Sequence, residues 1–212
     1  MIHHASRFAA SGLECRRGRR RLFQDLSLAL APGRMLQVAG RNGSGKSTLL
    51  RALCGLTRPE RGSITWNEVS IVKARDDFNA MLTYVGHASG LKDDLDPVEN
   101  VEAALDVAGR ALDRTPIREA LIALGLEGCL GLASKLLSQG QRRRVALARL
   151  WLSAASPLWI LDEPFVALDA ESTEALRLLL TGHLERGGIL VLTTHQEIEI
   201  APLRTVHLRL DA

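Results

Sequence analysis

The stretch AGRNGSGKSTLLRALCGL, from Ala39 to Leu56, holds the densest concentration of chemistry in the chain. It matches Gly-x-x-x-x-Gly-Lys-Ser/Thr through Gly40, Gly45, Lys46 and Ser47, and it follows an apolar run that reads as a strand. Glycines let such a loop curl until successive N–H groups point inward at phosphate oxygens, and the helix that follows adds its positive N-terminal end. Gly40, Arg41, Asn42, Gly43, Ser44, Gly45, Lys46, Ser47 and Thr48 are therefore the expected phosphate contacts. Lys46 reaches the β- and γ-phosphates in this reading, and Ser47 ligates Mg2+.

A second pair of groups completes a phosphoryl-transfer set. The run PLWILDEP, residues 157–164, is an apolar strand ending in adjacent acids. A buried strand rarely ends in two carboxylates without a cation or a proton to manage. Asp162 is expected to hold Mg2+ through water, and Glu163 to polarise the attacking water. The strand GILVLTTHQ then delivers His195 to the same sheet edge, where it contacts the γ-phosphate or holds the water's geometry. A third segment, LSQGQRRRVALAR from Leu137 to Arg149, contains neither an activated nucleophile nor a metal cluster. It opens instead with a Ser-x-Gly-Gln turn of the kind that presents backbone amides at a helix N-terminus.

These groups need a scaffold that brings strand ends together. Strand-like runs at 36–39, 81–85, 157–161 and 188–194 alternate with longer helical patterns, which is the signature of a parallel sheet built from βα units. The first 35 residues alternate polar and apolar positions over short distances and read as antiparallel strands. From residue 87 to 134 the pattern turns helical, with Asp96-Pro97 as an N-cap and first-turn pair. The expected organisation is one domain over 1–212, with an α/β core at 1–86 and 135–212 and a helical insertion at 87–134.

Composition narrows the function. With 46% hydrophobic and 24% charged residues the chain is an ordinary globular sequence, and 212 residues suffice for one sizeable core. Aromatics at 4% supply few stacking platforms, which weighs against nucleic acid as a partner. RRGRRR at 16–21 and Arg142 to Arg144 read as solvated faces. Cys15, Cys54 and Cys129, widely spaced and without a Cys-x-x-Cys pair, read as reduced packing residues. MIHHASRFAASGLECRR has no apolar leader core, and no window approaches a membrane span, so the expected protein is soluble and any membrane role comes from a partner.

The order of these motifs, phosphate loop, LSQGQ, ILDEP, LD and TH, resembles an ATP-binding-cassette (ABC) ATPase over almost the whole chain. The resemblance implies a P-loop NTPase core with a mostly parallel sheet, an N-terminal antiparallel subdomain and a short helical insertion. It also implies ATP and Mg2+ as cofactors and a homodimer in which Ser138, Gly140 and Gln141 grip ATP held by the opposite subunit. Asp169, ending the LD pair, then counts among the nucleotide-binding residues. Gln139 stands where the family usually has glycine. Arg17 stands where the family usually stacks adenine on an aromatic ring, and a guanidinium plane can stack, though less selectively.

YVGHASGLKDDLDPVENV, ALARLWLSAASPLWILDEPF and GGILVLTTHQ are similar to the heme-exporter ATP-binding subunit of bacterial cytochrome c maturation, the CcmA family. That family carries histidine, here His87, where most ABC ATPases have a glutamine that meets Mg2+ or the attacking water. The resemblance implies a peripheral subunit on the cytoplasmic face of the inner membrane, with CcmB- and CcmC-like integral partners. Hydrolysis there is associated with release or export of heme-loaded chaperone, and heme itself is not expected to bind this chain. The alternatives are the ATPase of another small-substrate exporter and a soluble ABC protein acting on nucleic acid or ribosomes. What co-purifies with the chain separates them.

Overall fold

The computed structural model describes residues 8–195 and 199–210; residues 1–7, the start of the stretch read for a leader, lie outside them. Alternation builds the first sheet. In β1 (Phe8–Arg17) the side chains of Phe8, Ala10, Leu13 and Cys15 turn inward, and β2 (Arg20–Leu30) returns antiparallel to it. The chain then leaves through β3 (Met35–Gly40) and α1 (Lys46–Leu53) before β4 (Arg61–Trp66) and β5 (Val69–Ser70) complete a four-stranded antiparallel sheet, in the order β2-β1-β4-β5.

β3 belongs to a second sheet. With β6 (Leu82–Val85), β7 (Leu158–Asp162), β8 (Ile189–Thr193) and β9 (Thr205–Leu210) it forms an all-parallel layer in the order β6-β7-β8-β3-β9. β7 and β8 are buried along their whole length, which is why both read as unbroken apolar runs rather than alternating ones. Period two still sorts their side chains. Leu36, Val38, Leu158, Ile160, Ile189 and Val191 pack toward α1 and the antiparallel sheet. Met35, Val85, Trp159, Leu161, Leu190 and Leu192 pack beneath α5 (Gln139–Trp151) and α6 (Ala170–Glu185).

Between β6 and α5 lies the helical stretch. α2 (Arg75–Met81) precedes β6, and α3 (Pro97–Val107) and α4 (Arg114–Ala123) follow it. α3 starts as its sequence predicts. The Asp96 carboxylate accepts from Glu99 N at 2.9 Å, the Glu99 carboxylate accepts from Asp96 N at 2.9 Å, and Pro97 occupies the first turn. Val98, Val101, Leu105, Ile117 and Leu121 form a third apolar cluster that also takes Val145 and Ala148 from α5. Cys15, Cys54 and Cys129 are buried free thiols, as expected. Among the described residues no helix is long and apolar enough to cross a membrane.

The α/β architecture expected from the sequence is thus the one the chain adopts. Its consequence for chemistry lies in the strand order. β7, β8 and β3 are neighbours and run the same way, so Asp162, Thr193 and Gly40 come to one carboxyl edge of the sheet, where α/β sheets place their ligands.

Candidate active site

At that edge the chain turns from β3 into α1 through the glycine-rich loop. Gly40 has φ of 151°, and a Cβ built on it would lie 2.5 Å from the Leu210 carbonyl and 2.6 Å from Ser44 Oγ, so no larger residue fits where the loop leaves the sheet. Lys46 is nine-tenths buried, and its ammonium folds back on the loop, donating to the carbonyls of Gly40 at 2.8 Å and Arg41 at 3.3 Å. Ser44 Oγ is buried without a hydrogen-bond partner among the described residues. A cavity of about 480 Å3 opens over this loop, lined by Asn42, Gly43, Gly45, Lys46, Ser47 and Thr48 on one side. Asp162, Glu163, His195 and His87 line it on the other, with Arg17, Leu22 and Val166 completing the wall. Arg41 lines a shallower cavity beside it, with Asn42, His195 and Arg209.

The acid pair is held from three directions. Asp162, 2% exposed at the end of β7, accepts a hydrogen bond from Thr193 Oγ1 at 2.7 Å. The same Thr193 hydroxyl accepts from Glu163 N at 2.8 Å. Glu163 takes a left-handed backbone conformation, φ 52°, which an L-residue adopts at a cost and keeps only where its surroundings enforce it. Its Oε2 accepts from the His195 backbone N at 3.3 Å, and its Oε1 lies 3.2 Å from His195 Nε2. Oε1 has no hydrogen bond among the described residues and is shielded from solvent.

Beneath this turn sits Arg143. Its Nη2 donates to the carbonyls of Asp162 and Glu163, both at 2.9 Å, its Nη1 to Gly86 O at 2.8 Å, and its Nε to Pro164 O at 3.4 Å. The expectation that Arg142 to Arg144 form a solvated face is therefore overturned. Arg143 is 5% exposed; Arg142 donates to Ser134 O at 2.7 Å and pairs with Asp93 at 2.8 Å; Arg144 donates to Leu124 O at 3.1 Å. Helical period places these three on different sides of α5, and each finds a carbonyl from a different segment. Burial pulls the Arg143 guanidinium below its usual range, against the opposing pull of the Asp162 and Glu163 charges. Thr193 and Arg143 are the residues that sequence reasoning missed. For Thr193 the sequence carried no signal, since only the parallel register of the folded sheet sets it opposite Asp162. For Arg143 an arginine inside an otherwise apolar helical face was the only hint.

The Ser138 segment stands apart from the loop. Ser138 caps α5: its Oγ accepts from Gln141 N at 3.2 Å, and the Gln141 side chain accepts from Ser138 N at 2.8 Å. A Cβ on Gly140 would lie 2.7 Å from the Ala167 carbonyl, so a contact within the chain already requires glycine there. Asp169 caps α6 by accepting from Ser172 N at 2.8 Å, and its other oxygen lies 3.9 Å from Arg144. Neither Ser138, Gly140, Gln141 nor Asp169 lines the cavity over the glycine-rich loop of its own chain. His87, by contrast, stands between that cavity and a second one of about 570 Å3, which runs along Asn100, Val101, Ala104, Val145 and Arg149.

The donors around the loop are oxygen-rich and suit a hard divalent cation. The Ser47 hydroxyl and the Asp162 carboxylate face one cavity, and among the described residues no cluster of three or more His, Cys, Asp or Glu side chains could hold a metal alone. That is the ligand count of Mg2+ sites that rely on substrate phosphates for the remaining positions. The uncompensated Ser44 hydroxyl and Glu163 Oε1 are polar atoms that a bound group or water would satisfy.

Residues 23–166 match the family described as "ABC transporter". The chain is 47% identical to the cytochrome c biogenesis ATP-binding export protein CcmA of Aromatoleum aromaticum, with 97% of this chain and 96% of the relative covered. It is 51% identical to the protein of the same name from Dechloromonas aromatica, covering 93% and 96%. Among solved structures it resembles the dimeric structure of a bacterial ABC transporter cassette, with a TM-score of 0.81 at 25% identity over 95% of this chain and 94% of the other. A dimeric ATP-binding cassette in a post-hydrolysis state, bound to ADP and Pi, matches with a TM-score of 0.79 at 26% identity over the same shares.

Proposed function

The chain belongs to the ABC transporter family and, within it, to the CcmA cytochrome c biogenesis ATP-binding export proteins, and from that premise we propose that it is the ATP-hydrolysing subunit of a heme-export, cytochrome c maturation complex. ATP binding and hydrolysis at an interface between two copies drive the release or export of heme-loaded chaperone. The chain acts as one ABC ATPase domain with a helical subdomain at 87–134. It sits peripherally on the cytoplasmic face of the inner membrane, against integral partners of the CcmB and CcmC kind.

The single observation that carries this reading is the clamped acid pair facing the glycine-rich loop. When the triphosphate settles over the loop, Lys46 exchanges the Gly40 and Arg41 carbonyls for β- and γ-phosphate oxygens, a charge-assisted gain. Ser47 and Asp162 would hold Mg2+, with His87 lining the same cavity, and the cation would neutralise phosphate charge there. Glu163 takes a proton from water as the water oxygen bonds to the γ-phosphorus and the bond to the ADP oxygen breaks. Glu163 is suited to that task, because it lines the cavity while Thr193 and His195 hold the residue still. His195 orients the water or the γ-phosphate. Arg17, on the rim with Leu22, offers the base a guanidinium plane in place of an aromatic ring. Ser138, Gly140 and Gln141 serve the second copy's ATP, and Asp169 stands with them at the interface between the two. This fits their absence from the chain's own cavity.

The test is complementation in a bacterium deprived of its own copy of this family. The wild-type chain is expected to restore covalently hemylated c-type cytochromes, read by heme stain, and Lys46→Ala is expected to restore none at equal protein level. Restoration by Lys46→Ala would contradict the need for ATP. Failure of the wild-type chain, with its ATPase intact, would assign that ATPase to another exporter.

A further inference from the structure

Arg143 spends four of its five N–H donors in one place. Its four bonds go to backbone carbonyls only, three of them on the consecutive residues Asp162, Glu163 and Pro164, and the fourth on Gly86, next to His87. A left-handed residue in mid-turn, as Glu163 is, swings its own carbonyl out of line with regular backbone. Such a conformation persists where neighbours over-determine it. The side chain is held by the His195 N–H, the backbone N–H by the Thr193 hydroxyl, and the backbone carbonyl by this guanidinium. A planar fork with five donors can serve several convergent carbonyls at once, which an ammonium on a flexible stem cannot.

We infer that Arg143 is a positioning residue for hydrolysis: its guanidinium fixes the backbone of the Glu163 turn and ties that turn to the His87 loop and to the helix capped by Ser138. Arg143 lies in α5 within two turns of Ser138, so a displacement of α5 reaches the Glu163 carbonyl through one side chain. Gly86 leads into the helical subdomain, so a displacement there reaches the same guanidinium. The three segments that must agree for turnover thus share one buried cation. This inference rests on the reading of Glu163 as the group that activates water.

The measurement is phosphate release from radiolabelled ATP by Arg143→Gln and Arg143→Lys, each alone and combined with Glu163→Gln. Each single variant is expected to lose ~10²-fold in kcat while KM for ATP moves by less than about threefold, the pattern of a misplaced reacting group. Combined with Glu163→Gln, either should lower the residual rate by less than about twofold, because two lesions on one path do not add. A kcat within twofold of wild type, loss of ATP binding along with kcat, or the full effect persisting on top of Glu163→Gln would overturn the inference. Near-normal turnover in Glu163→Gln alone would overturn the reading of Glu163 instead. If Arg143→Gln does not fold, Arg143→Lys, which keeps the buried charge but not the planar fork, decides by the same criteria.

Discussion

Thr193 holds two neighbours with one hydroxyl, donating to Asp162 Oδ1 and accepting from Glu163 N. The residue is fully buried, so neither bond has water as a substitute. Thr193→Val keeps the shape of the side chain and removes both bonds, leaving a buried carboxylate oxygen without its donor and a buried N–H without its acceptor. The expected cost is roughly 1–3 kcal/mol of stability, the penalty for unsatisfied buried groups. Thr193→Ser, which keeps the hydroxyl, should recover most of it. Urea titration of the three proteins gives the comparison, and a Val variant as stable as wild type would show that the hydroxyl is not what fixes the turn. Turnover should fall with the hydroxyl as well, since Asp162 and Glu163 both lose their reference point.

At the scale of elements, α6 meets β7 through an unusual pair. His183 of α6 stacks on Trp159 of β7 with ring centroids 3.8 Å apart and planes 4° from parallel, and its Nε2 lies 3.2 Å from the Ile189 carbonyl of β8. Gly188 leaves the ring its space: a Cβ there would approach it to 2.2 Å. Burial brings the His183 pKa down from its ordinary 6.5 to about 4. The unfolded chain therefore binds a proton at this residue between those two values while the folded chain does not, so stability is complete above about 6.5 and is lost as pH falls toward 4. The full loss is roughly 3 kcal/mol at 1.4 kcal/mol per pH unit. His183→Gln, which keeps a donor for Ile189 and does not titrate, should show a shallower acid limb in melting temperature against pH. Parallel limbs in the two proteins would place the acid sensitivity elsewhere.

The same element explains what was legible in the sequence. β7 announced itself because both its faces are buried and its chain is apolar throughout, and Asp162 and Glu163 stood out against that background. The glycine-rich loop was legible because phosphate binding by backbone amides is local and needs consecutive residues. The cap of α3 was legible for the same reason. Arg143 and Thr193 were not, because their partners lie in other segments: Gly86 and Asp162 for the one, Asp162 and Glu163 for the other. A charged side chain inside a helical pattern reads as a solvated face until the tertiary fold supplies carbonyls that can hold it.

For the molecule as a whole, the decisive feature is a separation. The glycine-rich loop, Asp162, Glu163 and His195 share one cavity, while the Ser138 cap of α5 and the Asp169 cap of α6 do not line it. One copy thus presents a site for ATP and, elsewhere on its surface, a helix N-terminus suited to a phosphate that it does not itself hold. Two copies related by a two-fold axis satisfy both at once, since an isologous interface offers each surface to the other. The direct measurement is the molar mass of the Glu163→Gln protein by light scattering, with ATP and Mg2+, with ADP, and without nucleotide. The account predicts a dimer with ATP alone, because ATP bridges the copies and is not hydrolysed, and a monomer throughout when Ser138→Arg is added. A monomer with ATP at every protein concentration, or a dimer indifferent to Ser138→Arg, would contradict it.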